Sequence, residues 1–255
     1  MRVISVANVK GGVGKSTVSG TLAAGLCLKG YKVLMIDSDP QTNLTMSFLK
    51  EQADDIPSLY NVYSDGTSLD KAKISIGEGI ELIPGNFELC NADMQFLKAG
   101  RLKILQKALK NMKSEYDFVI IDTSPYLGVL SLNAFLASTH IIVPMLADSF
   151  SLKGARLLKQ VLNDVSDETE KQIPVAGVLI TKYNRQTKVS RLLEKSVNDA
   201  AELLGTAVFQ SRIRQAVVIN ECQIAKESLF EYAPKAPVTD DYRKFINEFL
   251  ERIGG

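Results

Sequence analysis

A glycine-rich loop near the amino terminus constrains the fold of this chain more than any other feature. Residues 9–17 (VKGGVGKST) follow a short apolar run at residues 3–7 and precede a helical pattern at residues 16–28. A strand, a glycine-rich loop and a helix in this order are what a phosphate cradle requires. Glycines allow successive backbone N–H groups to converge on phosphate oxygens, and the helix amino terminus adds partial positive charge. The pattern therefore predicts a phosphate-binding loop.

The side chains of this loop predict how the phosphates are held. Lys15 is expected to reach the β- and γ-phosphates, and the Ser16 hydroxyl is expected to ligate Mg²⁺. Val9 stands where a strict GxxxxGK[ST] pattern has its first glycine, and a second lysine, Lys10, precedes the double glycine. The residues expected to surround the phosphates are Lys10, Gly11, Gly12, Val13, Gly14, Lys15, Ser16 and Thr17.

The rest of the chain alternates between apolar runs and helical patterns. The runs at residues 32–37, 80–83, 118–122, 140–144 and 175–181 are apolar without alternation, as expected for parallel strands covered on both faces. Helical spacing lies between them, for example at residues 102–112, 151–162 and 189–204. These units predict a doubly wound, mostly parallel α/β sheet flanked by helices. Since no repeat or linker divides the chain, residues 1–255 are expected to form a single domain.

Charge and cysteine content narrow the possible functions. Thirty basic residues against 29 acidic ones give a net charge of +1, so binding to nucleic acid would need a local patch. The three cysteines form no CxxC pair, which argues against a disulfide framework, a zinc ribbon and a metal-delivery role. Proline and glycine interrupt the uncharged stretch at residues 123–147, which is therefore expected to be loop, helix and strand rather than a membrane span. We expect a cytoplasmic protein.

The motif KGGVGKST resembles the deviant Walker A loop of the ParA/MinD class of ATPases, relatives of nitrogenase iron protein. The resemblance covers nearly the whole chain and implies a P-loop ATPase that uses ATP and Mg²⁺. It also implies that Lys10 reaches across a homodimer to the nucleotide held by the other subunit. The chain looks like the short, Soj-like form of the family, without the amino-terminal helix-turn-helix extension of some plasmid relatives.

Three further motifs carry the resemblance. Residues 37–43 (DSDPQTN) resemble the family's DxDPQxN switch, which implies that Asp39 positions or activates the attacking water while Asp37 supports the metal site. Residues 118–125 (FVIIDTSP) have a Walker B shape, in which Asp122 would accept a hydrogen bond from a Mg²⁺-bound water. Residues 181–184 (TKYN) resemble the strand that leads to the base pocket, where Asn184 would hydrogen-bond adenine.

Basic residues form three groups. The first spans residues 98–113, where Lys103, Lys107 and Lys110 share a helix face that is either solvated or a binding surface. The second runs from Lys182 to Lys195, and the third is expected in a loop before a helix. The resemblance implies that a dimer binds DNA without sequence preference through the second and third groups. The expected DNA contacts are Arg185, Arg191, Arg212 and Arg214.

The resemblance implies a partitioning ATPase for plasmid or chromosome segregation. In this hypothesis an ATP-bound homodimer binds the nucleoid, and a ParB-like centromere-binding protein stimulates hydrolysis. The alternative is a MinD-like, membrane-associated positioning ATPase, which shares the nucleotide site. A membrane-binding tail should be a basic amphipathic helix, whereas residues 242–253 are amphipathic but nearly charge-balanced. A helix docked on its own domain is therefore expected, without stable membrane association.

Overall fold

The computed structural model describes residues 1–49, 56–96, 101–148, 150–184 and 188–254, with the side chains of residues 93, 101, 168 and 188–192 left out. Its strands are β1 Arg2–Val6, β2 Val33–Ser38, β3 Ile74–Gly77, β4 Ile80–Ile83, β5 Phe118–Thr123, β6 His140–Met145, β7 Val175–Tyr183 and β8 Val208–Arg214. They form one sheet in the order β3-β4-β2-β5-β1-β6-β7-β8. All neighbouring strands are parallel except β3 and β4, which are antiparallel.

Helices connect the strands and cover both faces of the sheet. Short 3-10 turns at Phe87–Asn91 and Arg101–Lys103 accompany them. The α-helices of the described ranges are α1 Lys15–Leu28, α2 Asn43–Phe48, α3 Leu59–Ser64, α4 Leu69–Ala72, α5 Ala92–Phe96, α6 Ile104–Lys110, α7 Val129–Ala137, α8 Ser151–Thr169, α9 Lys188–Leu203, α10 Val218–Ala225, α11 Leu229–Tyr232 and α12 Pro237–Arg252.

The doubly wound α/β sheet predicted from the sequence is confirmed, including the expected assignment of residues 123–147 to loop, helix α7 and strand β6. The two edge strands, β3 and β8, were not predicted. The loop expected around Arg212 and Arg214 is wrong, because both residues lie on β8, which pairs in parallel with β7. An edge strand contacts the core through few side chains, here Phe209 and Ile213, so its apolar signal is weak.

Alternate residues of each central strand enter different cores. Ile4 and Val6 of β1 pack with helices α1 and α12 on one face, whereas Val3 packs with α3, α6 and α7 on the other. The apolar side of α12, which includes Phe245 and Phe249, is fully buried in the first core. The expectation that the carboxy-terminal helix docks on its own domain is thus confirmed. None of the described helices has both the length and the apolar character needed to cross a bilayer.

The sheet order brings the sequence motifs together at one edge. Strand β5 lies between β1 and β2, and its Asp122 pairs in register with Val6 of β1 and Asp37 of β2. The glycine-rich loop leaves the carboxyl end of β1 and leads into α1. Because carboxyl ends of parallel strands meet at one edge of the sheet, the loop and both aspartates converge there.

Candidate nucleotide-binding site

The glycine-rich loop adopts a conformation that requires glycine at two positions. Gly12 has φ +74° and Gly14 has φ +86°, both in the left-handed region. A Cβ atom added at either position would have no heavy atom within 4 Å, so conformation rather than crowding demands glycine. Helix α1 begins at Lys15, directly after Gly14. The loop thus presents backbone N–H groups and a helix amino terminus to the same space.

Neighbouring strands hold this loop in place. Asn8 donates from Nδ2 to the Pro144 carbonyl oxygen at 2.7 Å, and its Oδ1 accepts from the Lys10 backbone N–H at 2.9 Å. Thr181 of β7 donates its hydroxyl to the Val13 carbonyl oxygen at 2.7 Å. Hydrogen bonds from the β6 and β7 side of the sheet therefore preorganise the loop.

Lys15 is the buried cation of the site. Its side chain lies against the loop, with Nζ 3.4 Å from the Lys10 carbonyl oxygen. Burial lowers the pKa of Lys15, and the nearby carboxylates of Asp122 and Asp39 oppose that effect. A desolvated ammonium has a high electrostatic affinity for anions. Lys15 is therefore well placed to bind phosphate.

Asp37 and Asp122 form a buried acidic pair. Burial raises the pKa of Asp122 to about 8, with a further contribution from Asp37, while hydrogen bonds from Ser16 and Ser19 oppose the rise. Asp122 Oδ1 accepts from Ser19 at 3.1 Å, but Oδ2 is buried and has no hydrogen-bond partner within the described part of the chain. Such an orphaned carboxylate oxygen beside the Ser16 hydroxyl suits a Mg²⁺ ion that keeps its water ligands.

Hydrogen bonds from Asp39 and Thr45, which follow Asp37 in the chain, stabilise the Asp37 carboxylate. Its Oδ1 accepts from the Asp39 N–H at 3.1 Å, and its Oδ2 accepts from the N–H and the hydroxyl of Thr45 at 2.8 and 2.6 Å. Burial raises the pKa of Asp37 to about 6, and these hydrogen bonds oppose the rise. Since both oxygens already have protein donors, Asp122 is better placed than Asp37 to contact a metal-bound water.

Metal binding by protein side chains alone is not supported. Across the ranges that the structure covers, no three His, Cys, Asp or Glu side chains gather into a metal-binding group. A Mg²⁺ site in a phosphate-binding loop needs fewer protein ligands, because phosphates and waters complete the coordination. Ser16 and Asp122 fit that kind of site.

Asp39 lies at the floor of the cleft beside the loop. It is 6% exposed, and its Oδ1 accepts from the Gln41 backbone N–H at 2.9 Å. Thr42, with φ +53°, closes the turn by donating its N–H to the Asp39 carbonyl oxygen at 2.9 Å. The turn fixes the carboxylate of Asp39 near Lys15.

Lys10 points away from the other phosphate-loop groups. Its Nζ forms an ion pair with Asp148 and lies 5.6 Å from the centre of the Phe150 ring. Both partners of the ion pair are partly exposed, and the Phe150 ring is 64% exposed. The side chain of Lys10 is therefore engaged near the surface of its own chain.

A cleft of about 870 Å³ extends from the loop to helix α10. Gly11, Gly12, Lys15 and Asp39 line one end of it. The other end is lined by Lys182 of β7, Arg214 of β8 and the residues after β8, namely Gln215, Ala216, Val217, Asn220 and Gln223. The lining after β8 was not predicted from the sequence, because that strand was not recognised.

The two ends of the cleft are directly connected. Gln223 of α10 donates from Nε2 to the Thr17 hydroxyl of α1 at 3.3 Å. Asn184, the expected adenine ligand, is exposed and does not line this cleft. Its role stays a prediction.

The expected DNA contacts fall into two groups. Arg185 lies outside the described residues, as does the side chain of Arg191. Arg212 pairs with Glu194 at 3.2 Å, and the Arg214 guanidinium forms two hydrogen bonds to Asp241, at 2.6 and 2.8 Å. Both described arginines are therefore already paired with carboxylates.

Comparison with known proteins agrees with this geometry. Residues 1–175 match the family model described as an AAA domain. The chain is 31% identical to the chromosome-partitioning ATPase Soj of Thermus thermophilus, over 99% of this chain and 97% of that protein. It is 28% identical to the sporulation initiation inhibitor protein Soj of Bacillus subtilis, over 97% of each chain.

A solved structure is also similar over the full length. It is cobyrinic acid a,c-diamide synthase from Mycobacterium smegmatis, which holds an ATP analogue and magnesium. The TM-score is 0.85 at 31% identity, covering 100% of this chain and 96% of that one. With the glycine-rich loop, both aspartate motifs and the sheet order in agreement, the chain belongs to the ParA/Soj family of P-loop ATPases.

Proposed function

We propose that this protein binds ATP and Mg²⁺ in the cleft, closes with a second copy into a homodimer that binds DNA, and returns to the monomer after hydrolysis. The observation that carries the proposal is the juxtaposition of Lys15, Asp39 and Asp122 beside the glycine-rich loop. One buried cation and the loop N–H groups suit a triphosphate, while the two carboxylates suit a metal-bound water and an attacking water.

Each residue of this set has a separate task. Lys15 and the N–H groups of the loop bind the phosphates, and Asp39 orients the attacking water in line with the bond that breaks. Ser16 and Asp122 would hold Mg²⁺, which supplies charge neutralisation on the phosphates when bound. Asp37 supports this arrangement through its hydrogen bonds to Asp39 and Thr45. The newly identified lining of the cleft would surround the base. Asn184 does not line the cleft, so an adenine contact by this residue would require its movement toward the base.

Two observations support a homodimer closed over the cleft. Apolar side chains are exposed around its mouth: Met46 is 64%, Val217 is 74% and Ile224 is 83% exposed. Exposed apolar groups that cluster on one face are typical of a binding surface. Lys10 lies near the surface beside Phe150, from where it would reach the nucleotide of the other subunit after leaving Asp148.

We propose that basic residues brought together in such a dimer bind DNA without sequence preference. The net charge of +1 rules out attraction by the chain as a whole, so dimerisation must bring patches together. We expect nucleoid association in the ATP state and stimulation of hydrolysis by a ParB-like protein. Contacts by Arg212 or Arg214 would have to compete with Glu194 and Asp241.

Co-sedimentation with arbitrary duplex DNA and with anionic liposomes, in ATP and in ADP, tests the proposal. We expect binding to DNA in ATP alone, weakening steeply with salt because each phosphate contact contributes about −0.9 to the slope of log affinity against log salt. Replacing Arg212 and Arg214 together by alanine should flatten that slope by ~1.8, the value for two contacts. The matched control replaces Lys103, Lys107 and Lys110, which are exposed along the α6 segment.

The same assay separates the alternatives. Binding to liposomes but not to DNA would favour the MinD-like positioning ATPase. The similarity to cobyrinic acid a,c-diamide synthase raises amide synthesis as a second candidate. A synthase should consume ATP only with its carboxylic acid substrate, whereas a partitioning ATPase hydrolyses ATP alone. Turnover without any added acid, faster with DNA present, would therefore exclude the synthase.

A further inference from the structure

We propose that Thr45 is a positioning residue for ATP hydrolysis, acting through Asp37 on the water-orienting Asp39; this inference rests on the proposed function. Thr45 lies in the first turn of α2, six residues after Asp39, and its side chain is buried. It does not line the cleft. Its influence on the reaction would pass through hydrogen bonds.

The Thr45 hydroxyl joins three segments of the chain. It donates to Asp37 Oδ2 of β2 at 2.6 Å and accepts from the Gly85 N–H, just after β4, at 3.0 Å. A hydroxyl is one of few groups able to donate and accept from a single atom. We call the group of Asp37, Thr45 and Gly85 the Thr45 clamp.

Close packing makes the Thr45 clamp a specific arrangement. A Cβ atom added at Gly85 would lie 2.9 Å from the Asp37 carbonyl oxygen and 3.2 Å from its Cγ. A side chain at position 85 would therefore push the backbone away from Asp37. Glycine allows the approach that places its N–H on the Thr45 hydroxyl.

The Thr45 clamp restrains the backbone of Asp39 through Asp37. With Oδ2 of Asp37 held by the N–H and the hydroxyl of Thr45, Oδ1 of Asp37 is directed at the Asp39 N–H, 3.1 Å away. The turn from Asp39 to Thr42 is thus fixed at both ends by one carboxylate and the start of α2. Loss of the Thr45 hydroxyl removes one of these restraints but removes no group that would contact ATP. Displacement of a catalytic group by about 1 Å can reduce a rate ~100-fold.

Thr45→Val and Thr45→Ser test the proposal by steady-state ATP hydrolysis and by amide hydrogen exchange of the nucleotide-free protein. Thr45→Val should lower kcat at least ~10-fold while KM for ATP changes less than ~3-fold, as expected for a mispositioned catalytic group. It should also raise the exchange rate of the Asp39 amide. Thr45→Ser keeps the hydroxyl and should restore both properties.

Thr239→Val is the matched control. Thr239 of α12 is fully buried, its hydroxyl donates to the Ala233 carbonyl oxygen at 2.7 Å, and it does not line the cleft. This variant should lose stability but keep kcat and the exchange rate of the Asp39 amide. Unchanged Asp39 exchange in Thr45→Val, or Thr45→Ser as slow in turnover as Thr45→Val, would overturn the proposal. Absence of hydrolysis in the unmodified protein would instead overturn the proposed function, and the exchange measurement would still decide the role of Thr45.

Discussion

The two ends of the cleft differ in how their ionisable side chains are paired. At the loop end, the carboxylates of Asp37 and Asp122 lie side by side, fully buried, with Lys15 as the nearby cation. At the β8 end, Arg214 and Asp241 form a matched pair with two hydrogen bonds, and the arginine side chain is half exposed. The loop end therefore places two acidic groups next to each other, whereas the β8 end pairs an acidic group with a basic one.

This difference in charge pairing indicates that the loop end of the cleft is the end that binds a ligand. Burial of neighbouring carboxylates raises their pKa values and lowers the stability of the ligand-free protein when they ionise. Charged groups kept at such a disadvantage are typical of functional sites. At the β8 end, Arg214 and Asp241 already neutralise each other, so this pair is expected to shape the cleft and to contribute less binding energy.

The largest effect should follow from Lys15→Ala. Removing the buried ammonium leaves phosphate charge and two carboxylates without their nearest cation, so ATP affinity should fall at least ~100-fold, or about 2.7 kcal/mol. Isothermal titration calorimetry with Mg²⁺ and ATP measures this loss. Arg214→Ala, at the other end of the cleft, should weaken binding less than ~10-fold. Equal losses would show that the two ends do not differ as described.

Asp39→Ala should separate binding from chemistry. The carboxylate orients the attacking water, so kcat should fall ~100-fold or more. Removal of a negative charge near the γ-phosphate should leave ATP affinity unchanged or increase it. Asp241→Asn, a carboxylate change at the β8 end, should keep kcat within ~3-fold of the unmodified enzyme. Single-turnover hydrolysis together with titration calorimetry distinguishes the two effects, and an unaffected kcat in Asp39→Ala would remove this residue from catalysis.

The smallest expected effect is a pH dependence of stability in metal-free, nucleotide-free protein. The pKa of Asp122 is about 8 in the folded chain and about 4 when unfolded. The folded state therefore binds the extra proton between these values, and stability falls as pH rises through that window. Asp122→Asn removes the effect. The Tm of Asp122→Asn should exceed that of the unmodified protein by an amount that grows from pH 5 to pH 8. The difference should reach about 2–4 °C, which corresponds to at least ~1 kcal/mol in the free energy of unfolding.

Differential scanning fluorimetry across this pH range makes the measurement. Asp241→Asn is the control, because it leaves Arg214 without its partner and should lower Tm. A constant difference between Asp122→Asn and the unmodified protein at all pH values would contradict the buried acidic pair.

How far the sequence predicts this molecule depends on the region. The glycine-rich loop, the aspartates at 37, 39 and 122, and the central strands were predicted because local spacing and continuous apolar runs encode them. Strand β8 was not predicted because it has no continuous apolar run. Its two buried side chains, Phe209 and Ile213, are separated by polar residues. The Arg214–Asp241 pair and the Thr45 clamp join residues that are distant in sequence, so a local pattern could not reveal either.

In the proposed function, ATP and Lys10 of a second copy complete the loop end of the cleft. Multi-angle light scattering of Asp39→Ala with Mg²⁺ tests it most directly. We expect a mass of about 56 kDa in ATP, twice the chain mass of 28.0 kDa, and a monomer in ADP. Adding Lys10→Ala to this variant should retain ATP binding but keep the protein monomeric. A monomer in ATP, equal dimerisation in ADP, or a dimer that forms without Lys10 would contradict completion of the site by a second copy.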